Sequence, residues 1–301
     1  MTIIELLAQY NTEEICRNDF KERRESQGVK CKKCGCKKHY WLSSKSQWQC
    51  SKCSFRTGLK SGSFMEHSKL SVLKWYQAII LISFSKKGLS AKEIQRQLQL
   101  TRYESTWYLM HRIRRALAKQ NAKISLSGTI EFDEGYFSVL TSKKRVQKRG
   151  RGSNNKAKVA IMVESTPLEN PKTGEKHNAL GHVKMNVLQG HQQSKIDELL
   201  ENKIAKNSLL ITDKSTSYNG LSQNFEHYSL LSEEHTKLDS MKWVHIAISN
   251  IKRKLLGINH GVKREYLQNY LDEFCFKLNL RKENGNITES ILTAVANNYW
   301  Y

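Results

Sequence analysis

Two aspartates close short apolar runs, Gly128-Thr-Ile-Glu-Phe-Asp133 and Ser208-Leu-Leu-Ile-Thr-Asp213. They do so in a chain whose fifty lysines and arginines outnumber twenty-eight acids, for a formal net charge of +22. Such a chain attracts polyanions. An acid at a strand end would repel that partner unless a divalent cation lay between them. Carboxylates hold hard cations and the cations hold phosphate oxygens, which is what metal-dependent phosphodiester chemistry needs. Either aspartate alone could be a turn former ending a strand. Together, in this charge context, they read as catalytic.

Cys31-Lys-Lys-Cys34 and Cys50-Ser-Lys-Cys53, with fifteen residues between the two pairs, form a second chemical set. Two Cys-x-x-Cys knuckles at this separation can give four thiolates to one tetrahedral zinc. Tyr40-Trp41-Leu42 and Trp48-Gln49 read as short ribbon strands, followed by Phe55-Arg56. The metal would be structural, standing in for a core too small to fold unaided. Cys36 and His39 read as bystanders. Lys32, Lys33, Lys37 and Lys38 fit DNA contact or an ordinary solvated surface about equally.

Four of the seven cysteines lying in one constellation fits a reducing compartment better than a disulfide framework. The first residues carry no basic segment followed by an apolar core. The longest apolar stretch, Ala78 to Ile82 with Phe84, is too short to span a membrane. A cytoplasmic, nucleoid-associated protein with no membrane partner is expected.

Helical spacing runs over Ile3 to Arg24 and again from Lys69 to Phe84, where Gly88 ends it. Ser90-Ala-Lys-Glu93 is a capping box with Leu89 and Ile94 placed as its staple. Thr101-Arg-Tyr-Glu104 opens a further helix with Trp107, Met110, Ile113 and Leu117 inward and Arg102, Arg112 and Arg115 on more exposed positions. Two capped helices around a tight turn match helix-turn-helix spacing, with the second helix as groove reader. A plain three-helix packing unit is the alternative.

Beyond Lys123 the pattern becomes strand-like, with Ile130 and Phe132 facing one way and Glu131 and Asp133 the other. Strands are expected at Ala157 to Val163, His182 to Val187, Leu209 to Ile211 and Tyr228 to Leu231. Helices are expected at Ser194 to Ala205 and from about Ser240 to Leu256. Three strands, a helix, a strand and a helix, with acids at the ends of the first and fourth strands, is the RNase H-like order. Between the first two strands, Lys143, Lys144, Arg145, Lys148, Arg149, Arg151, Lys156 and Lys158 form a basic arm suited to phosphates.

These stretches resemble a DDE-type insertion-sequence transposase of the ISXO-like family. The matching segments are Cys31 to Cys53, Ile130-Glu-Phe-Asp-Glu134, Ile211-Thr-Asp213 and Trp243-Val-His-Ile-Ala-Ile-Ser-Asn-Ile-Lys252. Leu255-Leu-Gly-Ile-Asn-His-Gly261 and Tyr270-Leu-Asp-Glu-Phe274 complete them. The resemblance implies an α+β multidomain chain with five parts. These are an N-terminal helical segment (1–27), a zinc ribbon (28–60), a helix-turn-helix domain (64–122), an RNase H-like mixed-sheet catalytic domain (125–285) and a C-terminal tail (286–301).

It further implies 3′-end cleavage and strand transfer on element-end and target double-stranded DNA, by a homo-oligomer assembled on that DNA. Asp133 and Asp213 would hold two magnesium or manganese ions roughly 3.5–4 Å apart. Where a plain three-carboxylate site has its last acid, after a thirty-six-residue spacer, this chain has Asn250, followed two residues on by Lys252. An amide oxygen can ligate magnesium without adding charge. His245, Ser249 and Lys252 share a helix face and could line the scissile phosphate; His245 is equally open to a structural role. Should Asn250 fail as ligand, Glu233, Glu234 and Asp239 precede the same helix. The competing reading is a DNA-binding regulator with an inactive RNase H-like scaffold.

Overall fold

The structure, a computed structural model, describes residues 1–140, 155–169, 176–188, 193–213, 225–230, 241–282 and 285–297. The chain divides into two compact units, Met1–Lys119 with Asn286–Tyr301, and Gln120–Gly285. The basic-arm residues Lys143, Lys144, Arg145, Lys148, Arg149 and Arg151 lie outside the described residues, as do Glu233, Glu234 and Asp239. Among the described residues no helix is long and apolar enough to cross a membrane.

In the first unit the single helical stretch expected over Ile3 to Arg24 is two helices, α1 (Ile3–Gln9) and α2 (Glu13–Ser26), because Thr12 caps a new start. The ribbon follows as β1 (His39–Leu42), β2 (Gln47–Cys50) and β3 (Arg56–Gly58), an antiparallel sheet in that order. Its Trp41 and Trp48 rings meet at 4.9 Å, and the Trp48 indole donates to Glu25 of α2 at 2.9 Å. Helix α3 (Val72–Phe84) is capped from outside as well as by Ser71, since the Glu13 carboxylate accepts the N–H groups of Val72 and Leu73.

Helix α4 (Ala91–Gln97) starts on Ser90, which accepts the Glu93 N–H at 3.1 Å. Glu93 itself reaches forward to Arg96 and Gln97, so its side chain serves α4's own surface. The turn into α5 (Tyr103–Asn121) passes through Gln99 at φ 53° and is tied by the Gln95 amide to the carbonyls of Leu100 and Thr101.

Residues 286–301, expected as a tail, contain a ten-residue helix of this unit, Ile287–Ala296. It buries Ile291, Leu292 and Val295 completely. Thr288 meets the Ser83 hydroxyl at 2.7 Å and Glu289 pairs with Arg23 at 2.7 Å. Thr288 and Glu289 are read as tail residues only if their apolar followers are left unplaced.

The second unit is built on a five-stranded mixed sheet of order β6-β5-β4-β7-β8. Its strands are β4 (Thr129–Ser138), β5 (Lys156–Glu169), β6 (Lys176–Val187), β7 (Leu209–Asp213) and β8 (Glu226–Leu230). The first three pair antiparallel, while β4, β7 and β8 pair parallel. That is the RNase H-like arrangement. Helix α6 (Gln193–Lys203) covers one face, where Ile196, Leu200 and Ile204 pack with Ile130, Phe132 and Met162.

Helices α7 (Lys242–Lys254) and α8 (Arg264–Lys282) belong to the other face, with Val244, Ile251, Leu267 and Leu271 against Phe137, Ile161 and Val183. The outer edge of β6 is satisfied by α8 side chains. Asn279 pairs with both the N–H and the carbonyl of Val183, and Gln268 with the Val187 N–H and the Met185 carbonyl. With that last helix, Ile287–Ala296 is α9.

Candidate active site

The parallel register sets Glu131 beside Ile211, and Asp133 and Asp213 each follow two residues further along their strands. Residues paired across neighbouring strands share a face, about 4.8 Å apart. Continued two residues past the last pair, that alignment puts both carboxylates on the face that carries α7, and the charge of Asp213 is felt at Asp133. Asp213 ends β7 as expected. Asp133 does not end β4, which continues five residues past it to Ser138. The alternation of apolar side chains resumes beyond the acid at Phe137, which is buried, so the strand is stabilised on both sides of Asp133.

Burial, opposed by a 2.7 Å bond from the Glu134 N–H, and then the charge of Asp213 raise the Asp133 carboxyl above its ordinary value. Asp213 Oδ1 is buried and has no hydrogen-bond partner among the described residues. Two like charges pressed together, one with an unsatisfied oxygen, form a donor set that a hard cation fits. Glu134 points to the opposite face and is neutralised by Lys158 at 2.6 Å, both side chains 11% exposed. Lys158 is thus a strand residue committed to an ion pair, and Lys156 also lies within β5, so neither belongs to the expected basic arm.

Helix α7 is anchored to the same strand. It starts at Met241, which has left-handed backbone (φ 63°) and no side-chain cap. The cap comes instead from Glu131, 1% exposed, whose Oε2 accepts the Val244 N–H at 2.9 Å. One residue on, His245 Nδ1 lies 3.9 Å from Asp133 Oδ2 while the ring stays 64% exposed. Glu131 had been part of a matching segment without a role; an acid at an alternating strand position facing inward was the available signal.

Asn250 does not join this group. Five helical residues past His245 it is turned about 140° around the axis, and its amide oxygen accepts from Arg253 at 3.1 Å. Among the described residues it has no hydrogen bond to either aspartate. Lys252 does share the flank of His245, but its ammonium sits 5.5 Å above the Phe137 ring, toward the far end of β4.

In the first unit, Cys31, Cys34, Cys50 and Cys53 have their sulfurs all within 4.8 Å of one another. The Cys31–Cys53 and Cys34–Cys50 sulfurs are each 3.5 Å apart. A tetrahedron of bonds near 2.3 Å needs roughly 3.8 Å, so the four could hold zinc. Burial raises the Cys31 thiol, but N–H donation from Cys34 and Lys33 outweighs it and brings it down to about 7. Cys36 is occupied by Lys38 and Ser51, and His39 by the Lys37 carbonyl. Among the described residues no other set of three or more His, Cys, Asp or Glu gathers so closely.

Arg102, just ahead of α5, and Arg115 on it are exposed as expected, whereas Arg112 is half-buried and donates to the carbonyls of Phe64 and Glu66. Trp107, expected inward, is half-buried and lies 4.0 Å from the His111 ring. Met110, Ile113 and Leu117 are buried. Tyr108, 61% exposed on the same stripe as Arg115, was not anticipated.

A family model described as an ISXO2-like transposase domain matches residues 125–279, just over half of the chain. The chain belongs to the ISXO2-like transposase family. The match spans β4 through most of α8, so it contains the aspartate pair and all of α7. A curated relative of this family member, an uncharacterized protein in transposable element ISH50 of Halobacterium salinarum, is 22% identical over 252 residues, covering 79% of this chain and 80% of that protein. Among solved structures, a pre-cleavage Mos1 transpososome aligns with 10% identity and a TM-score of 0.25 over 70% of this chain and 75% of that one. A Mos1 mariner paired end complex with Mn aligns with the same identity and TM-score over 71% and 76%.

Proposed function

We propose that this family member is a DNA transposase that cuts the 3′ ends of its element in a divalent-cation-dependent reaction and joins them to target DNA. The observation that carries the reading is the aspartate pair, each two residues beyond the paired Glu131 and Ile211 of the parallel strands β4 and β7, with a buried Asp213 oxygen that has no partner among the described residues. Asp133 and Asp213 would hold magnesium or manganese, which supplies charge neutralisation at the attacking and leaving oxygens of the phosphodiester.

The chain's own groups would do the rest. Glu131 fixes α7 against β4. His245, beside Asp133 and open to solvent, is placed to meet the scissile phosphate or to hold a proton for it. Asn250, on the other flank of α7 and engaged by Arg253, contributes through that helix surface rather than as a third ligand. Zinc held by Cys31, Cys34, Cys50 and Cys53 would order the ribbon. The exposed Arg102 at the entry to α5, Arg115 on that helix and the basic arm from Lys143 to Arg151 would hold element-end and target DNA. Joining two ends to one target calls for a homo-oligomer on the DNA.

The test is a cleavage and strand-transfer assay on duplexes taken from the gene's own flanks, with magnesium or with chelator. Nicking and joining that need magnesium, and vanish in Asp133→Asn and Asp213→Asn while end binding persists, are expected. DNA binding by the parent with no metal-dependent cleavage would establish the regulator reading instead.

A further inference from the structure

The ribbon sheet has one covered face and one open face. Cross-strand register puts Trp41, Trp48 and Thr57 in one row and Tyr40, Gln49 and Arg56 in the next, so the two rows point to opposite sides. The tryptophan row is packed on α2, with Lys21 over Trp41, Arg24 over Trp48 and Thr57 2% exposed. The other row is more open: Tyr40 is 67% exposed, Arg56 is exposed and Gln49 between them is half-buried. The side chains of Tyr40, Gln49 and Arg56 have no hydrogen bond or ion pair among the described residues.

The setting of this row is one-sided in charge. Residues 28–60 contain nine lysines and arginines and no acid. Of these, Lys60 is occupied by the carbonyls of Ser68 and Leu70. The row itself presents an aromatic ring, an amide and a guanidinium on three adjacent strands. An amide and a guanidinium are the side chains that pair bidentately with adenine and guanine edges, and a sheet can enter the major groove. An exposed ring adds stacking or sugar contact.

We infer that the open face of the ribbon is a second DNA-contacting surface, additional to α5, with Gln49 and Arg56 meeting base edges and Tyr40 packing beside them. This rests on DNA being the partner and not on cleavage, so a binding measurement tests it separately.

Tyr40→Ala, Gln49→Ala, Arg56→Ala and Arg56→Lys are made in the full chain, with zinc content checked for each. Binding is titrated on an element-end duplex, a shuffled duplex and polyglutamate. The inference expects Gln49→Ala and Arg56→Ala to lose about tenfold of the preference for the element end over the shuffled duplex. Arg56→Lys should keep total affinity but lose the same preference, because it keeps charge and not the fork. Tyr40→Ala should weaken both duplexes.

Equal losses on both duplexes for Gln49→Ala and Arg56→Ala overturn the base-edge assignment. Binding within twofold of the parent for every zinc-loaded variant overturns the surface. Loss on polyglutamate with DNA binding intact assigns the face to an acidic protein and also overturns it. A parent chain that binds neither duplex overturns the DNA reading as a whole, which is a distinct failure.

Discussion

Glu131 accepts the backbone N–H of Val244 at 2.9 Å, and so a buried carboxylate on β4 starts the helix that carries His245. The next acid along that face of β4 is Asp133, and the next residue along α7 is the histidine beside it. Strand and helix are therefore fastened at the point where the chemistry is expected. Glu131→Ala leaves the first turn of α7 without its acceptor, at a cost of roughly 1–3 kcal/mol. It should lower thermal stability and raise the magnesium needed for half-maximal cleavage. Glu131→Gln, which keeps an acceptor oxygen, should recover most of both. Equal magnesium demand in Glu131→Ala and parent would limit Glu131 to a folding role.

Asp133 is held with its charge disfavoured, first by burial and then by Asp213. An acid whose folded value is raised costs stability above that value, where it must ionise, and the cost fades as pH falls through it. Asp133→Asn should therefore abolish cleavage and at the same time raise the melting temperature at neutral pH. The gain over the parent should shrink in acid. A lower melting temperature at neutral pH would contradict this account of the site.

His245 and Asn250 separate two descriptions of α7. His245→Ala should reduce cleavage at least tenfold with end binding unchanged, since the ring lies beside Asp133 and is exposed to substrate. Asn250→Ala should cleave within a few-fold of the parent at limiting magnesium. Severe loss in Asn250→Ala with normal folding would return it to the ligand set.

Arg112 and Arg115 stand three apart on α5 and should differ in kind. Arg112 is spent on the Phe64 and Glu66 carbonyls, so Arg112→Ala should destabilise the first unit, with the residual folded protein binding DNA normally. Arg115→Ala should leave stability intact and weaken element-end binding. Circular dichroism melts and binding isotherms on both variants decide it.

Zinc removal should act on the ribbon. Purified chain should carry about one zinc, and Cys34→Ser or Cys50→Ser should lose it together with the order of β1 to β3. Metal analysis that finds no zinc in reduced protein would refute the assignment.

Much of this molecule was legible where one residue type carries its own meaning. The Cys-x-x-Cys pairs located the ribbon, and Ser90 located the start of α4, because a metal ligand or a cap is a local device. The alternation around Ile130 to Asp133 identified the strand and its faces. It could not set the strand's end, since Glu134 looks like a turn until Lys158 neutralises it from β5. Arg112 likewise reads as exposed until the Phe64 and Glu66 carbonyls are brought to it. The helix over Ile287–Ala296 was hidden because its buried partners lie some two hundred residues away, as Thr288 and Ser83 show. Each of these three misses is a long-range contact overriding a local pattern.

The α8 clamp on β6 bears on how this unit can change over evolutionary time. Strand pairs ordinarily take their alignment from the turn that joins them. Here Gln268 and Asn279 grip β6 at Val187 and Val183. The eleven-residue step from Gln268 to Asn279 spans about 16 Å of helix, close to the roughly 13 Å covered by a four-residue step of strand. A slip of one residue would break every one of these bonds. The alignment of β6 is thus written on a helix as well as in its pairing with β5, so Gln268 and Asn279 are positions this unit can change only by loosening that register.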